Sequence, residues 1–186
     1  MNRVLDFPIA ILILLFVFIP MILISMIIFL VDRENPIYMS SRIGKNNKIF
    51  SMPKFRTMRS NTPQKATHLL DKPEHYLLST GAFLRKYSLD ELPQLISILK
   101  GDMAFVGPRP ALYNQYDLIE LRDKHRISLL KPGITGWAQV NGRDELSIYE
   151  KVQLDAEYLK KSSLSFDIYI IYLTFLKVFR GDGISH

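Results

Sequence analysis

Cysteine is absent from all 186 residues. This excludes a disulfide scaffold and a thiolate-metal site, and it fits a reducing compartment. The four histidines, His68, His75, His125 and His186, have no ligand spacing of the HExxH kind, so no zinc site is expected. Neither a P-loop nor a GxGxxG phosphate cradle occurs, and low-complexity segments and internal repeats are missing as well. Apolar side chains are not scarce. At 48% hydrophobic and 23% charged residues, the composition rules out intrinsic disorder, and the length suits one domain.

The most informative absence is local. From Phe7 to Val31 no side chain is charged. As a straight helix this run would measure roughly 37 Å, against a hydrocarbon core of roughly 30 Å. A buried helix in so small a domain would be shorter and amphipathic. A cleaved signal would be shorter too, and would follow more than Arg3 and precede a small-x-small site. The run is therefore read as a membrane segment. Pro20, near its middle, lacks an amide hydrogen and clashes with the preceding turn, so a bend is expected there. Spanning helices tolerate proline as well. The residues alone leave a straight span and a bent helix with both ends on one face equally open.

Charge is concentrated after this run. Arg33, Arg42, Lys45, Lys48, Lys54, Arg56 and Arg59 face only Glu34, which accounts for the whole net charge of +6. Such a stretch suits an anionic leaflet, a phosphate-binding site, or both. The positive-inside tendency puts this stretch, and the remainder of the chain beyond it, in the cytoplasm. A nucleic-acid-binding domain would match the charge, but the membrane run and the lack of a recognised module argue against it.

Residues 37 to 58 read as a short hairpin around Gly44 and Asn46-Asn47, with Lys54 and Arg56 alternating about Phe55 on one face. Residues 60 to 80 are polar, with Pro63 and Pro73, and are expected to form a loop or short helical pieces. Leu92, Leu95, Ile96 and Leu99 have helical spacing, ended by Gly101. Ser88 with Glu91 has capping-box spacing, although Pro93 also allows a cap at Asp90. Residues 103 to 106 suggest a strand, 111 to 126 a helix and 131 to 143 a glycine-punctuated loop. Ser147 and Glu150 form a second candidate capping box, before a face of Ile148, Val152, Ala156 and Leu159. The stripe Ile168, Ile171, Tyr172, Phe175, Leu176, Phe179 is expected in the core, with interfacial contact as the alternative.

Two features could carry chemistry. Adjacent carboxylates at a helix start, Asp90 and Glu91, are held as anions by free amides and the helix dipole. An ionised aspartate can attack phosphorus and a neighbouring carboxylate can hold Mg²⁺, while plain helix capping is the simpler explanation. Arg109 stands between Pro108 and Pro110, which stiffen its backbone and lower the ordering cost of gripping a phosphate; a structural salt bridge is the alternative. Arg85 lies five residues before Asp90 and could face the same pocket.

The ordered segments KFRTM (54–58), LRKYSLDELPQL (84–95), LKGDMAFVGPRP (99–110) and KPGITGWAQVNGR (131–143) closely resemble the bacterial sugar transferases, or monotopic phosphoglycosyl transferases, in their small PglC-like form. The likeness runs from residue 1 to about 180. It implies transfer of a sugar-1-phosphate from a UDP-sugar to undecaprenyl or another polyprenyl phosphate, with release of UMP, as the first membrane step of glycoconjugate assembly. It implies a ping-pong course in which Asp90 is the nucleophile and carries a covalent phospho-sugar. Glu91, with Asp90, would hold Mg²⁺, and Lys54, Arg85 and Arg109 match the family's basic residues of the substrate site. Arg56 joins this set by its alternation with Lys54. The resemblance also implies a re-entrant helix broken at Pro20, where family members often have Ser-Pro and this chain has Ile19-Pro20.

The expected fold is α+β and mostly helical. A re-entrant membrane helix (1–32) packs with a small catalytic domain (33–186) built from a short β-hairpin and amphipathic interfacial helices. The expected location is the cytoplasmic face of the bacterial inner membrane. Expected partners are a UDP-sugar, undecaprenyl phosphate and membrane lipids, with no nucleic acid and a homo-oligomer left open. Two alternatives belong to other classes: a membrane-anchored glycosyl transferase that releases UDP, and a non-catalytic anchor that binds acidic lipids. The donor sugar and the pathway are not legible in these motifs.

Overall fold

The computed structural model describes residues 5–63, 73–142 and 145–180, apart from the side chain of Phe179. Phe179 in the C-terminal stripe, Arg143 and the middle of the polar segment 60–80 therefore lie outside the described residues. The fold is mostly helical, with two separate two-stranded sheets among the described residues.

Helix α1 (Asp6–Ile27) is continuous through Pro20 and passes into a π-helical turn, Ile28–Asp32. From Phe7 to Val31, fifteen large apolar side chains are exposed, Leu15 and Phe16 by 73% and 77%. Each would gain about 1.5–3 kcal/mol on leaving water. Their sum exceeds the whole stability of a typical domain, about 5–15 kcal/mol. This surface therefore suits hydrocarbon rather than water.

The other side of α1 rests on the rest of the chain along nearly its full length. Ala10, Ile13, Leu14 and Val17 pack with Met52, Leu95, Ile98 and Met103. Met21, Ile24 and Ile28 pack with Phe55, Leu78 and Leu84. Asp32 fixes the end of this segment, its carboxylate accepting hydrogen bonds from the Ser79 amide (2.8 Å) and the Thr80 hydroxyl (2.7 Å).

The hairpin forms as the turn residues require. Strands β1 (Ile37–Ile43) and β2 (Ile49–Phe55) pair antiparallel, from Ile37 opposite Phe55 to Ile43 opposite Ile49. Asn46 and Asn47 at the turn take left-handed φ of 55° and 58°, which asparagine tolerates better than most residues. Next come α2 (Gly81–Lys86), a 3₁₀ helix (Leu89–Gln94) and α3 (Leu95–Leu99), which Gly101 ends at φ 83°.

Here the structure departs from the expected capping box. Ser88 is left-handed (φ 53°) and its side chain caps nothing, because the backbone there is closing α2 rather than standing extended before a new helix. The 3₁₀ turn also rotates the apolar face. Leu95 and Ile98 are buried, whereas Ile96 is 38% exposed.

Strands β3 (Ala104–Val106) and β4 (Gly133–Thr135) pair in parallel. A Cβ on Gly107 would collide with the Lys131 carbonyl, and one on Gly133 with the Gly107 amide, so these glycines let the two segments close up. The expected loop 131–143 thus contains β4 and a short helix, α5 (Trp137–Val140). The expected helix over 111–126 is shortened to α4 (Tyr116–Lys124). Its first residues are taken by pairing with β1: the Ile43 amide donates to the Ala111 carbonyl at 2.9 Å.

Helix α6 (Ile148–Lys161) starts at the capping box of Ser147 and Glu150, here formed in both directions. Helix α7 (Leu164–Arg180) buries Asp167 and Ile170 but exposes Ile168, Tyr172 and Phe175 by 57–61%. The C-terminal stripe is therefore divided: Ile168, Tyr172 and Phe175 face outward, whereas Ile171 packs against the core. The inward face of α7, with Phe166, Ile170, Ile171 and Leu173, lies against Val106, Val140 and Tyr158.

Candidate active site

The 3₁₀ helix lies against β2 and brings the acidic pair to the one lysine of that strand. Asp90 and Glu91 are only 8% and 7% exposed. Lys54 Nζ donates to Glu91 Oε1 at 3.1 Å. Both terminal nitrogens of Arg109 donate to that same oxygen, each at 3.2 Å. The Lys54 ammonium is attracted by Glu91 and Asp90 and repelled by Arg109 and Arg42, yet burial outweighs these and pushes its pKa below the ordinary lysine value. Two carboxylates and two cations in this cluster cancel, so a diphosphate arriving there would add net negative charge.

Of the expected site residues, Asp90, Glu91, Lys54 and Arg109 come together. Arg85 Nε donates to Thr57 Oγ1 at 3.0 Å, just past the end of β2. Arg56 is not brought to the acidic pair. Its Nε donates to the Asn35 carbonyl at 2.8 Å, and its guanidinium lies 5.8 Å over the Tyr38 ring. The alternation itself holds, since Tyr38 stands opposite Lys54 and the Arg56 amide still pairs with the Pro36 carbonyl at 2.8 Å, but the guanidinium turns to Asn35 and Tyr38 rather than to the acidic pair. Pro20 is far from this cluster in sequence and sits within α1.

The segment carrying Arg109 is fixed at four successive carbonyls. Pro108 accepts from the Gly133 amide (3.0 Å), Arg109 from Arg122 (2.7 Å), Pro110 from Arg42 (3.1 Å) and Ala111 from the Ile43 amide (2.9 Å). Two prolines without amide hydrogens thus sit in a stretch whose acceptors are all engaged. Arg122 also pairs with Asp155 Oδ2, at 2.6 and 3.0 Å. Burial pushes the Asp155 carboxyl above its ordinary range, against the pull of Arg122 and Lys151. The supporting roles of Arg42, Arg122 and Asp155 were invisible in the sequence, because nothing in local spacing links Arg42 to Pro110 or Arg122 to Asp155, 68 and 33 positions apart.

Whether a divalent cation fits can be judged from the donors. Mg²⁺ favours hard oxygen ligands and commonly takes one or two carboxylates plus substrate phosphates and waters. Asp90 and Glu91 supply two carboxylates in a cluster whose cations only balance them. No group of three His, Cys, Asp or Glu side chains placed to hold a metal ion occurs among the described residues. The residues fit a cation that arrives with a phosphate ligand.

A family model described as bacterial sugar transferase matches residues 1–181. The chain belongs to that family. EpsL of Bacillus subtilis (strain 168), named an uncharacterized sugar transferase, is 44% identical to it over 144 residues, which is 77% of this chain and 70% of that protein. The UDP-glucose:undecaprenyl-phosphate glucose-1-phosphate transferase of Escherichia coli (strain K12) is 39% identical over 191 residues, covering 97% of this chain and 40% of the relative. A UDP-N-acetylgalactosamine-undecaprenyl-phosphate N-acetylgalactosaminephosphotransferase of Aeromonas hydrophila is 32% identical, over 89% of this chain and 41% of its own length. This sugar transferase family member thus spans less than half the length of the latter two.

Proposed function

We propose that this protein transfers a sugar-1-phosphate from a UDP-sugar to undecaprenyl phosphate, leaving UMP. The observation that carries the reading is the buried cluster of Asp90, Glu91, Lys54 and Arg109 in a chain whose relatives are named for this reaction. In the first half-reaction an Asp90 carboxylate oxygen attacks the sugar-bearing phosphorus. An acyl-phosphate (mixed anhydride) bond forms between the Asp90 carboxylate oxygen and phosphorus, and the phosphorus–oxygen bond to UMP breaks, with the electron pair leaving on UMP. In the second, a phosphate oxygen of undecaprenyl phosphate attacks the same phosphorus and the Asp90 carboxylate leaves. Atoms balance without a further reactant, and the two halves give ping-pong kinetics.

Glu91 draws Lys54 and Arg109 to the place where negative charge grows on the leaving group, and their fixed positions cost little reorganisation during reaction. Arg85, beside Thr57, extends this basic wall; Arg56 is committed to Asn35 and Tyr38 and takes no part in it. A bound Mg²⁺ would be held by Asp90 and Glu91 and would supply charge neutralisation for the diphosphate.

The helix packing bears on topology. Contacts from Ala10 to Ile28 cover roughly 27 Å of α1 and the start of the turn that follows it, at 1.5 Å per residue. A helix crossing straight to the far side would carry one half away from the catalytic residues. We therefore read α1 as re-entrant, with the exposed face of α7 at the same lipid surface and the whole on the cytoplasmic side, where the basic stretch 33–59 meets anionic lipid.

The test is a panel of UDP-sugars with undecaprenyl phosphate, scored for the nucleotide released. UMP from at least one donor, abolished in Asp90→Asn with membrane binding retained, is expected. UDP as the product would assign a glycosyl transferase instead. Asp90→Asn without effect would contradict the reading.

A further inference from the structure

Among the described residues, the pair of Arg122 and Asp155 stands out. Its side chains are 11% and 2% exposed, and they join two helices with no part in the acidic cluster. A pair that served only to hold α4 to α6 would need one contact, between guanidinium and carboxylate. Arg122 makes a second and different one. While Nε and one terminal nitrogen engage Asp155, the other terminal nitrogen donates to the main-chain carbonyl of Arg109 at 2.7 Å. The planar guanidinium is rigid, so the carboxylate on α6 sets the direction in which that nitrogen points. The Arg109 guanidinium then closes on Glu91.

We propose that Arg122 and Asp155 are positioning residues that act through Arg109. They set its main chain so that its guanidinium is aimed at Glu91 and at the donor diphosphate. The inference rests on the reading of Arg109 as a phosphate-gripping residue. It adds α4 and α6 to the machinery, and it assigns a task to two side chains that touch no substrate. Lysine cannot replace Arg122, because a single ammonium cannot keep both bonds of the Asp155 fork and still reach the Arg109 carbonyl. Misplacement of a positioning group by about 1 Å can cost on the order of 10²-fold in rate.

A double-mutant cycle tests this. The full chain in lipid nanodiscs is assayed for UMP release as Arg122→Lys, as Arg109→Ala and as both. Arg122→Lys is expected to lower kcat/KM for the donor by roughly 10- to 100-fold in the native background and by less than about twofold when Arg109 is already alanine. Thermal stability should fall by the same amount in either background. Equal losses of activity in both backgrounds, or no loss in the first, would overturn the proposal.

A second readout does not depend on turnover. The nitrogen-15 signals of the two Arg109 terminal nitrogens, which donate to Glu91, should show faster hydrogen exchange in Arg122→Lys and Asp155→Asn than in the native chain. An unchanged exchange rate would refute the positioning role. If the native chain releases no UMP with any donor while these signals still respond, the proposed reaction fails and the positioning inference stands.

Discussion

Lys54 offers a case where stability and activity should separate. Its ammonium lies 3.1 Å from Glu91 Oε1, with its side chain 13% exposed. At an effective dielectric constant of about 20, a pair at that distance attracts by roughly 5 kcal/mol. Removing the ammonium from water costs several kcal/mol, and Arg109 and Arg42 add repulsion. These terms nearly cancel. The lowered pKa gives the sign of what remains: the site as a whole disfavours the charge.

Lys54→Met keeps the apolar stem and removes the charge, while Arg109 stays on Glu91. Its unfolding free energy in nanodiscs should therefore change by about 1 kcal/mol or less, or rise slightly. UMP release should fall by about 10²-fold or more. The same lowered pKa sets a pH dependence. Between it and the ordinary value of 10.5 the unfolded chain carries a proton on Lys54 and the folded chain does not. Stability from this group therefore rises with pH across that window, and Lys54→Met lacks the rise. A loss of several kcal/mol in Lys54→Met would show that the lysine is chiefly a structural partner, and that stability and activity do not separate at this position.

Three further outcomes are expected. Gly107→Ala should cost about 1–3 kcal/mol or prevent folding, because a Cβ there meets the Lys131 carbonyl and parts β3 from β4; an unchanged Tm would contradict the close approach. Since the chain has no cysteine, Leu5→Cys and Lys48→Cys can each be labelled with an impermeant maleimide in sealed vesicles of known orientation. Both should react from the same face, and opposite faces would mean that α1 spans. Chelation of divalent cations should abolish UMP release and added Mg²⁺ should restore it, with activity in chelator counting against the acidic pair as cation ligands.

Where local rules decide the backbone, the sequence was readable. Asn46-Asn47 turned the hairpin, and Ser147 with Glu150 started α6 because Ser147 stands extended, at φ −61° and ψ 161°. Ser88 with Glu91 has the same spacing and fails. The Glu91 carboxylate goes to Lys54 and Arg109, and Ser88 is left-handed. Tertiary partners of Glu91 overrode the local pattern there. Periodicity found the apolar stripe of α7 but not what it meets, since a helix can be apolar toward both a core and a lipid surface. The support of Arg109 was out of reach for another reason. Arg42, Arg122 and Asp155 meet its segment only after the chain has folded, and no short-range spacing encodes that meeting.

The central claim is that the Asp90 side chain carries the sugar's phosphate between two acceptors. Enzyme given donor alone, quenched with acid and digested, tests it most directly by mass spectrometry. A phospho-sugar adduct on the peptide containing Asp90, lost when undecaprenyl phosphate is added before the quench, is the predicted result. Steady UMP release with undecaprenyl phosphate, and no adduct on that carboxylate at any quench time, would contradict it.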